Sequence, residues 1–324
     1  MDRRRFLLIS VAGAVAAPFA AGAQEAGKVW RIGFLGFTSP GIESRAIGAL
    51  KTRLEELGYV DDKNVSIVYR SADWDRLRYP ALARELVRLG VDVITAPCGW
   101  GLQAVRRASP TVPVAARCIG LREMGAEIRD GNQPTAFTTG VTYFVPDAIT
   151  RRLEIVRELF PHASRIALLY RPESDWARHL GEVESAARQL RFQVDRIAWR
   201  SDAELPFGVA QAAGHDVVLP LSDGWTLFHR DRLVELINER RLAAVYDFRA
   251  FVTSGGLASY GPDVTDVYQK VANQIARILA GKRAADMPIE RAERLELVIN
   301  TAAARRFGLT IPSSLLQRAD QVIE

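Results

Sequence analysis

From residue 29 onward, short apolar runs alternate with stretches in which apolar positions recur every three to four residues. The runs have the length of strands and the stretches have the one-sided stripe of amphipathic helices. Their alternation is the imprint of a parallel α/β architecture. Residues 29–35 predict a first strand. Ile47, Leu50, Leu54 and Leu57 then mark one face of a helix, and Gly58 stands where a left-handed C-cap would stop it. Strands over 65–69, 91–96, 112–118 and 138–142 complete a first unit. Its remaining helices are marked by Leu82, Leu86 and Leu89, ended by Gly90, and by residues 101–108.

The pattern then restarts. A helix over 148–160 leads to Arg165-Ile166-Ala167-Leu168-Leu169-Tyr170, which echoes Arg31-Ile32-Gly33-Phe34-Leu35-Gly36 as the leading strand of a second unit. Further strands are predicted at 192–198, 216–219, 243–246, 256–260 and 295–299, with helices over 226–240 and 263–280 and a short helix before the tail. The 263–280 segment carries Val264, Val267, Val271, Ile275 and Ile278 on one side and Asp263 and Asp266 at its dipole-favoured start. No low-complexity linker separates the units, so several chain crossings are expected to join them.

Residues 1–23 follow a different pattern. Met1-Asp2-Arg3-Arg4-Arg5 precedes an apolar run over 6–20 and then Ala21-Gly22-Ala23, just before Gln24. The run is too short for a membrane span of about 20 apolar residues, and the small residues fit a cleavage site, which together predict a signal peptide. Arg3-Arg4-Arg5-Phe6-Leu7 resembles the twin-arginine pattern that exports folded proteins; an ordinary secretory signal is the alternative. No cysteine follows the cleavage site to take a lipid, so the mature protein is expected free in the periplasm.

Charge and composition narrow the function classes. The chain has 43 Lys and Arg against 38 Asp and Glu; removing residues 1–23 takes away three arginines and one aspartate and leaves a formal net of +3. Arginines interleave with acids along the helices and form no basic stripe, which argues against nucleic acid as a partner. A hydrophobic content of 48% over this length supports substantial cores in two lobes.

Enzyme signatures are missing. Gly36-Phe37-Thr38-Ser39-Pro40-Gly41 after the first strand lacks the G-x-G-x-x-G spacing of a dinucleotide site, and neither a P-loop nor a G-x-S-x-G elbow occurs. His162, His179, His215 and His229 are scattered without metal-ligand spacing, so no metal and no cofactor are expected. Cys98 and Cys118 fall at the ends of consecutive strands and are expected to be free thiols, although the compartment would permit a bridge.

Four segments carry a family resemblance: Leu57-Gly58-Tyr59-Val60-Asp61-Asp62-Lys63-Asn64-Val65-Ser66-Ile67, Leu257-Ala258-Ser259-Tyr260-Gly261, Leu297-Val298-Ile299-Asn300, and Phe307-Gly308-Leu309-Thr310-Ile311-Pro312. Together they resemble the ABC-transporter substrate-binding family that includes the TrpX-like proteins. The resemblance implies a type I periplasmic binding protein: α/β, with two doubly wound parallel-sheet lobes joined by a three-crossing hinge. It also implies a small-molecule ligand and an ABC permease of the inner membrane as partner. Some relatives are associated with aromatic amino acids. The lobes are expected at 29–142 plus 255–287 and at 143–254 plus 288–324, in a monomer. Pro97-Cys98-Gly99-Trp100 replaces a small Thr-Pro type loop of the relatives, and Gly120-Leu121-Arg122-Glu123 replaces their Asp-Pro pair, so the ligand is not transferred with the family.

Open parallel sheets bind ligands beyond their C-terminal strand ends. Phe37, Trp100, Trp176, Trp225 and Phe248 all follow predicted strands and are candidate cleft walls. Thr38 and Ser39 could hydrogen-bond a carboxylate, and Asp223 and Asp247 could hold an amine or cap helices; Cys98, Gly99 and Phe144 complete the candidate set. These residues predict a small ring-bearing or flat polar solute, a carboxylate being one form, clamped between Trp100 and either Trp225 or Trp176. A sensor subunit presenting the ligand to a membrane receptor and a secreted α/β enzyme are the competing readings. A DNA-binding regulator of this fold would need a helix-turn-helix where the signal stands.

Overall fold

The computed structural model describes residues 28–37, 43–73, 75–97, 99–118, 120–121, 124, 134–135 and 137–324. The expected signal peptide therefore lies outside the described residues. The chain opens with β1 (Trp30–Gly36), α1 (Ser44–Glu56), β2 (Val65–Ser71), α2 (Tyr79–Arg88), β3 (Val93–Pro97), α3 (Trp100–Ala108), β4 (Val114–Cys118) and β5 (Thr138–Thr142). It continues through α4 (Ala148–Leu159), β6 (Arg165–Tyr170), α5 (Trp176–Gln189), β7 (Gln193–Ala198), α6 (Leu205–Gln211), β8 (Val217–Leu221), α7 (Gly224–Phe228), α8 (Arg230–Glu239), β9 (Val245–Tyr246) and α9 (Arg249–Thr253). The last elements are β10 (Ala258–Pro262), α10 (Val264–Leu279), β11 (Glu290–Arg291), β12 (Leu295–Asn300), α11 (Thr301–Arg306), α12 (Ser313–Arg318) and β13 (Gln321–Ile323).

Ile32, Phe34 and Leu35 of β1 are fully buried although they point to opposite faces, as befits a strand covered by helices on both sides. β1 sits inside a parallel sheet of order β11-β5-β4-β3-β1-β2. One face packs Phe34, Leu50, Leu54, Val267, Val271 and Ile275 together beneath α1 and α10; the other packs Leu35, Leu86, Ile94, Leu102 and Val105 beneath α2 and α3. In the second unit, β7-β6-β8 is parallel and is joined to β9-β10-β12-β13 by the bridge between Val218 and Ala244. Only the β10–β12 pair of that sheet is antiparallel among the described strands. Its two faces bury Leu153, Val156, Ile166 and Val183 on one side and Leu169, Val209, Val218, Leu233 and Ile237 on the other. Each such fully buried aliphatic side chain contributes roughly 1.5–3 kcal/mol.

The chain passes between the sheets three times: after β5, after β10 and after β11. These crossings correct the expected boundaries. β10, expected with the first unit inside 255–287, pairs with β9 and β12 of the second sheet. β11, expected with the second unit inside 288–324, pairs with β5 of the first. Gly261 makes the β10 position possible, because a Cβ there would lie 1.9 Å from the Asp247 carbonyl oxygen. The single helix expected over 226–240 is broken at His229 into α7 and α8.

The cysteines are also corrected. Cys118 is disulfide-bonded, and Cys98 is the sequence's only other cysteine. Register supplies the reason: Pro97 is paired with Arg117 on adjacent parallel strands. The interstrand spacing of about 4.8 Å suits the Cα separation that a disulfide requires.

Candidate functional site

Both sheets reverse their strand order at a central strand, between β1 and β3 in the first and between β6 and β8 in the second. Such switch points open a crevice beyond the strand ends. In the first unit the crevice is edged by Phe37, whose N–H donates to Glu43 Oε1 at 3.1 Å, and by Gly99 and Trp100. Gly99 has φ +66, a left-handed turn that suits glycine and sets Trp100 at the start of α3. In the second unit the edges are the segment from Arg171 to Asp175 after β6 and that from Ser222 to Trp225 after β8.

The two edges meet. Trp100 and Trp225 stand 5.4 Å apart with their planes tilted by 58°, and the Arg76 guanidinium lies over both rings at 5.4 and 5.1 Å. Gly120 of the first unit lies so close to Asp175 of the second that a Cβ would fall 2.1 Å from Asp175 Oδ2. Trp225 is fixed on its own side by donating Nε1–H to Asp202 Oδ1 at 3.1 Å and by stacking on His229 at 5.2 Å.

Between the units lies a cavity of about 290 Å³ lined by Phe37, Gly99, Trp100 and Gly120 on one side and by Phe144, Arg171, Glu173, Ser174, Asp175, Ser222, Asp223, Gly224 and Trp225 on the other. A second cavity of about 290 Å³ shares Phe37 and reaches Tyr143, Phe248, Tyr268 and Glu296. A small space of about 20 Å³ lies among Tyr143, Phe144, Arg152, Trp176, Ser222, Asp247 and Phe248. The expected site residues Phe37, Gly99, Trp100, Phe144, Asp223 and Trp225 are thus brought together at the first cavity. Phe248 lines the second cavity and the small space. Thr38, Ser39 and Cys98 lie outside the described residues.

Trp176, expected as an alternative partner for Trp100, does not line that cavity. It is 5% exposed, edge-on to Phe144 at 4.9 Å within the core under α4 and α5. Asp223 is a helix cap: Oδ1 accepts from Thr226 N–H and Oγ–H, both at 2.8 Å, while Oδ2 stands 3.4 Å from Arg171 Nε. Asp247 accepts from Ser222 N–H at 2.9 Å and Oγ–H at 2.6 Å and faces Arg152 Nη1 at 3.6 Å. Burial pushes the Asp247 carboxyl above its ordinary range, against the opposing pull of Arg152, and burial lowers the Arg152 guanidinium.

Sequence reasoning missed Arg152, Arg171 and Ser222. Arg152 occupies the buried stripe of α4 with Ile149, Leu153 and Val156, where an arginine breaks the apolar pattern. Arg171 directly follows the apolar run of β6, the position from which a switch-point side chain enters the crevice. A further ionic group joins the crossings: Arg45 Nη2 reaches Asp263 at 3.2 Å and Glu296 at 3.3 Å, and Arg249 lies 3.7 Å from Glu296, whose carboxyl is raised by burial.

This architecture is a type I periplasmic binding fold. The sequence matches the ABC transporter substrate binding protein family over residues 37–323, and the chain belongs to that family. Among characterised proteins it is 22% identical over 263 residues to a tyrosine-binding protein of Clostridioides difficile (strain R20291), covering 81% of this chain and 75% of that one. Among solved structures it resembles an ABC domain in complex with L-Trp from Streptococcus pneumonia, at 25% identity and a TM-score of 0.76, covering 91% of this chain and all of the other. A conserved domain protein from Vibrio cholerae gives a TM-score of 0.74 at 23% identity with the same coverage.

Proposed function

We propose that the protein captures a small ring-bearing or flat polar solute, bearing a carboxylate, between its two sheet units in the periplasm and presents it to the permease of an ABC importer. The observation that carries this reading is the approach of Trp100 and Trp225 from opposite units to 5.4 Å beside a cavity of about 290 Å³. Apolar walls with a few placed polar groups are what small-molecule sites use, and hinge closure over the solute is the signal such proteins give a membrane partner. The tyrosine-binding relative and the L-Trp complex support an aromatic ligand, and the arginine-led pattern of residues 1–23 supports export. A thermal-shift screen of metabolite classes tests the reading, together with mass spectrometry of solute retained through gentle purification. Aromatic acids and aromatic amino acids should raise the melting temperature; hits confined to acyclic sugar alcohols or branched aliphatic acids would contradict it.

A further inference from the structure

Two arginines of the second unit are buried at the cleft with open donors. Arg171, 7% exposed, donates Nη2–H to Glu173 Oε2 at 3.3 Å, while its Nε and Nη1 have no hydrogen-bond partner among the described residues. Arg152, 2% exposed, has none on any of its three nitrogens. The cavities they border share Phe144 and Ser222. Both are paired by charge, Arg171 with Glu173 and, at 3.4 Å from Nε, with Asp223, and Arg152 with Asp247 at 3.6 Å. A buried guanidinium nitrogen left without a hydrogen bond is nevertheless costly, so such nitrogens in a ligand cleft mark where a ligand or water brings the acceptor.

The carboxylates of the same cleft are already engaged. Asp223 caps α7 and faces Arg171, Asp247 serves Ser222 and Arg152, Glu173 accepts from Arg171, and Asp175 also has a partner. Glu296 Oε1, an open acceptor on the neighbouring cavity, belongs to a carboxylate flanked by Arg45 and Arg249. An entering ammonium would have to share carboxylates that already serve Arg171, Arg152 or a helix cap, whereas an entering carboxylate would complete Arg171 Nη1, which has no hydrogen-bond partner among the described residues. The space beside Arg152, about 20 Å³, has room for a water. Arg171 instead borders the 290 Å³ cavity and lies against the Trp225 ring at 4.6 Å, so a solute ring beside Trp225 would carry its acid group to the open nitrogens.

We propose that Arg171 is the specificity-determining anchor for the solute's carboxylate, and that the cleft prefers aromatic acids lacking an α-amino group over the corresponding amino acids. The proposal rests on the aromatic-solute reading and narrows it. It is tested by titration calorimetry of the mature protein with two matched sets: indole-3-propionate, L-tryptophan and tryptamine, and 3-(4-hydroxyphenyl)propionate, L-tyrosine and tyramine. In at least one set the acid should bind, the amino acid should bind no tighter, and the amine should not bind. Arg171→Gln should weaken the acid by roughly tenfold or more, the loss typical of a hydrogen bond to a charged group. An amino acid that binds roughly tenfold tighter than its acid, an amine that binds, or an unchanged acid affinity in folded Arg171→Gln would overturn the proposal while leaving the aromatic reading standing. If that variant fails to fold, the matched sets on the wild-type protein still decide. If none of the six binds the folded protein, the proposal and the aromatic reading fall together.

Discussion

Asp223 lies where a ligand role and a structural role compete for one side chain. Its Oδ1 takes both donors of Thr226, so its first duty is to start α7 and hold the loop that carries Trp225. Asn accepts the same hydrogen bond at an N-cap, whereas Ala cannot. Asp223→Asn keeps the cap but removes the carboxylate facing Arg171, so it should retain the helix start and bind an acid no more weakly than the wild type, while Asp223→Ala loses about 1 kcal/mol more in chemical denaturation than Asp223→Asn. An equal loss of affinity in both variants, with stability intact, would show that the charge contacts the solute. Phe37, Trp100 and Trp225 were legible in the sequence because each directly follows a recognisable apolar run. Trp176 obeyed the same rule but stands elsewhere, since the first turn of α5 directs its ring onto Phe144 and the small space beside Arg152, away from the cavity that Trp100 lines. Arg152 left one local signal, an arginine interrupting the apolar stripe of Ile149, Leu153 and Val156, but the partner that explains it, Asp247, lies far along the chain.

At the scale of elements, period and length were enough for the long helices and the fully buried strands, while partner choice was not. The run at 256–260 fits either sheet by hydrophobicity; the close approach of Gly261 to residue 247 decides for the second. β11 has two residues and no periodicity to read. The break between α7 and α8 at His229 leaves an uninterrupted apolar pattern, so the sequence read it as one helix. The Cys118 bridge likewise depended on strand register, which the spacing of two cysteines does not contain. Thiol titration of the denatured, unreduced protein should find no reactive thiol, and reduction should release two. Because the bridge closes a loop of about 20 residues, reduction should destabilise the folded protein by about 3 kcal/mol. Two reactive thiols before reduction would contradict the bridge.

At the scale of the whole molecule, the repeated strand rhythm announced two similar units and several crossings, and the structure supplies what the repetition is for. Two switch points face one another, so the loops after β1 and β3 oppose those after β6 and β8. Asp263 and Glu296, which flank the crossings after β10 and β11, are held by Arg45 of α1 and, for Glu296, by Arg249 of α9, while Trp100 and Trp225 meet beside the cavity between the units. Trp100 is only partly buried and packs at the margin of the core under α2 and α3, so truncating it removes a cleft wall while leaving the fully buried side chains of that core in place. The central claim, capture of a flat solute in the cavity walled by the Trp100 and Trp225 pair from opposite units, is tested most directly by titrating Trp100→Ala and Trp225→Ala with the solute found in the screen and comparing their unliganded melting temperatures. Each variant should lose roughly tenfold or more in affinity, from lost burial and ring packing, with an unliganded melting temperature close to that of the wild type. Affinity unchanged in both, or an unliganded Trp100→Ala protein that no longer folds, would contradict the account and return these rings to packing.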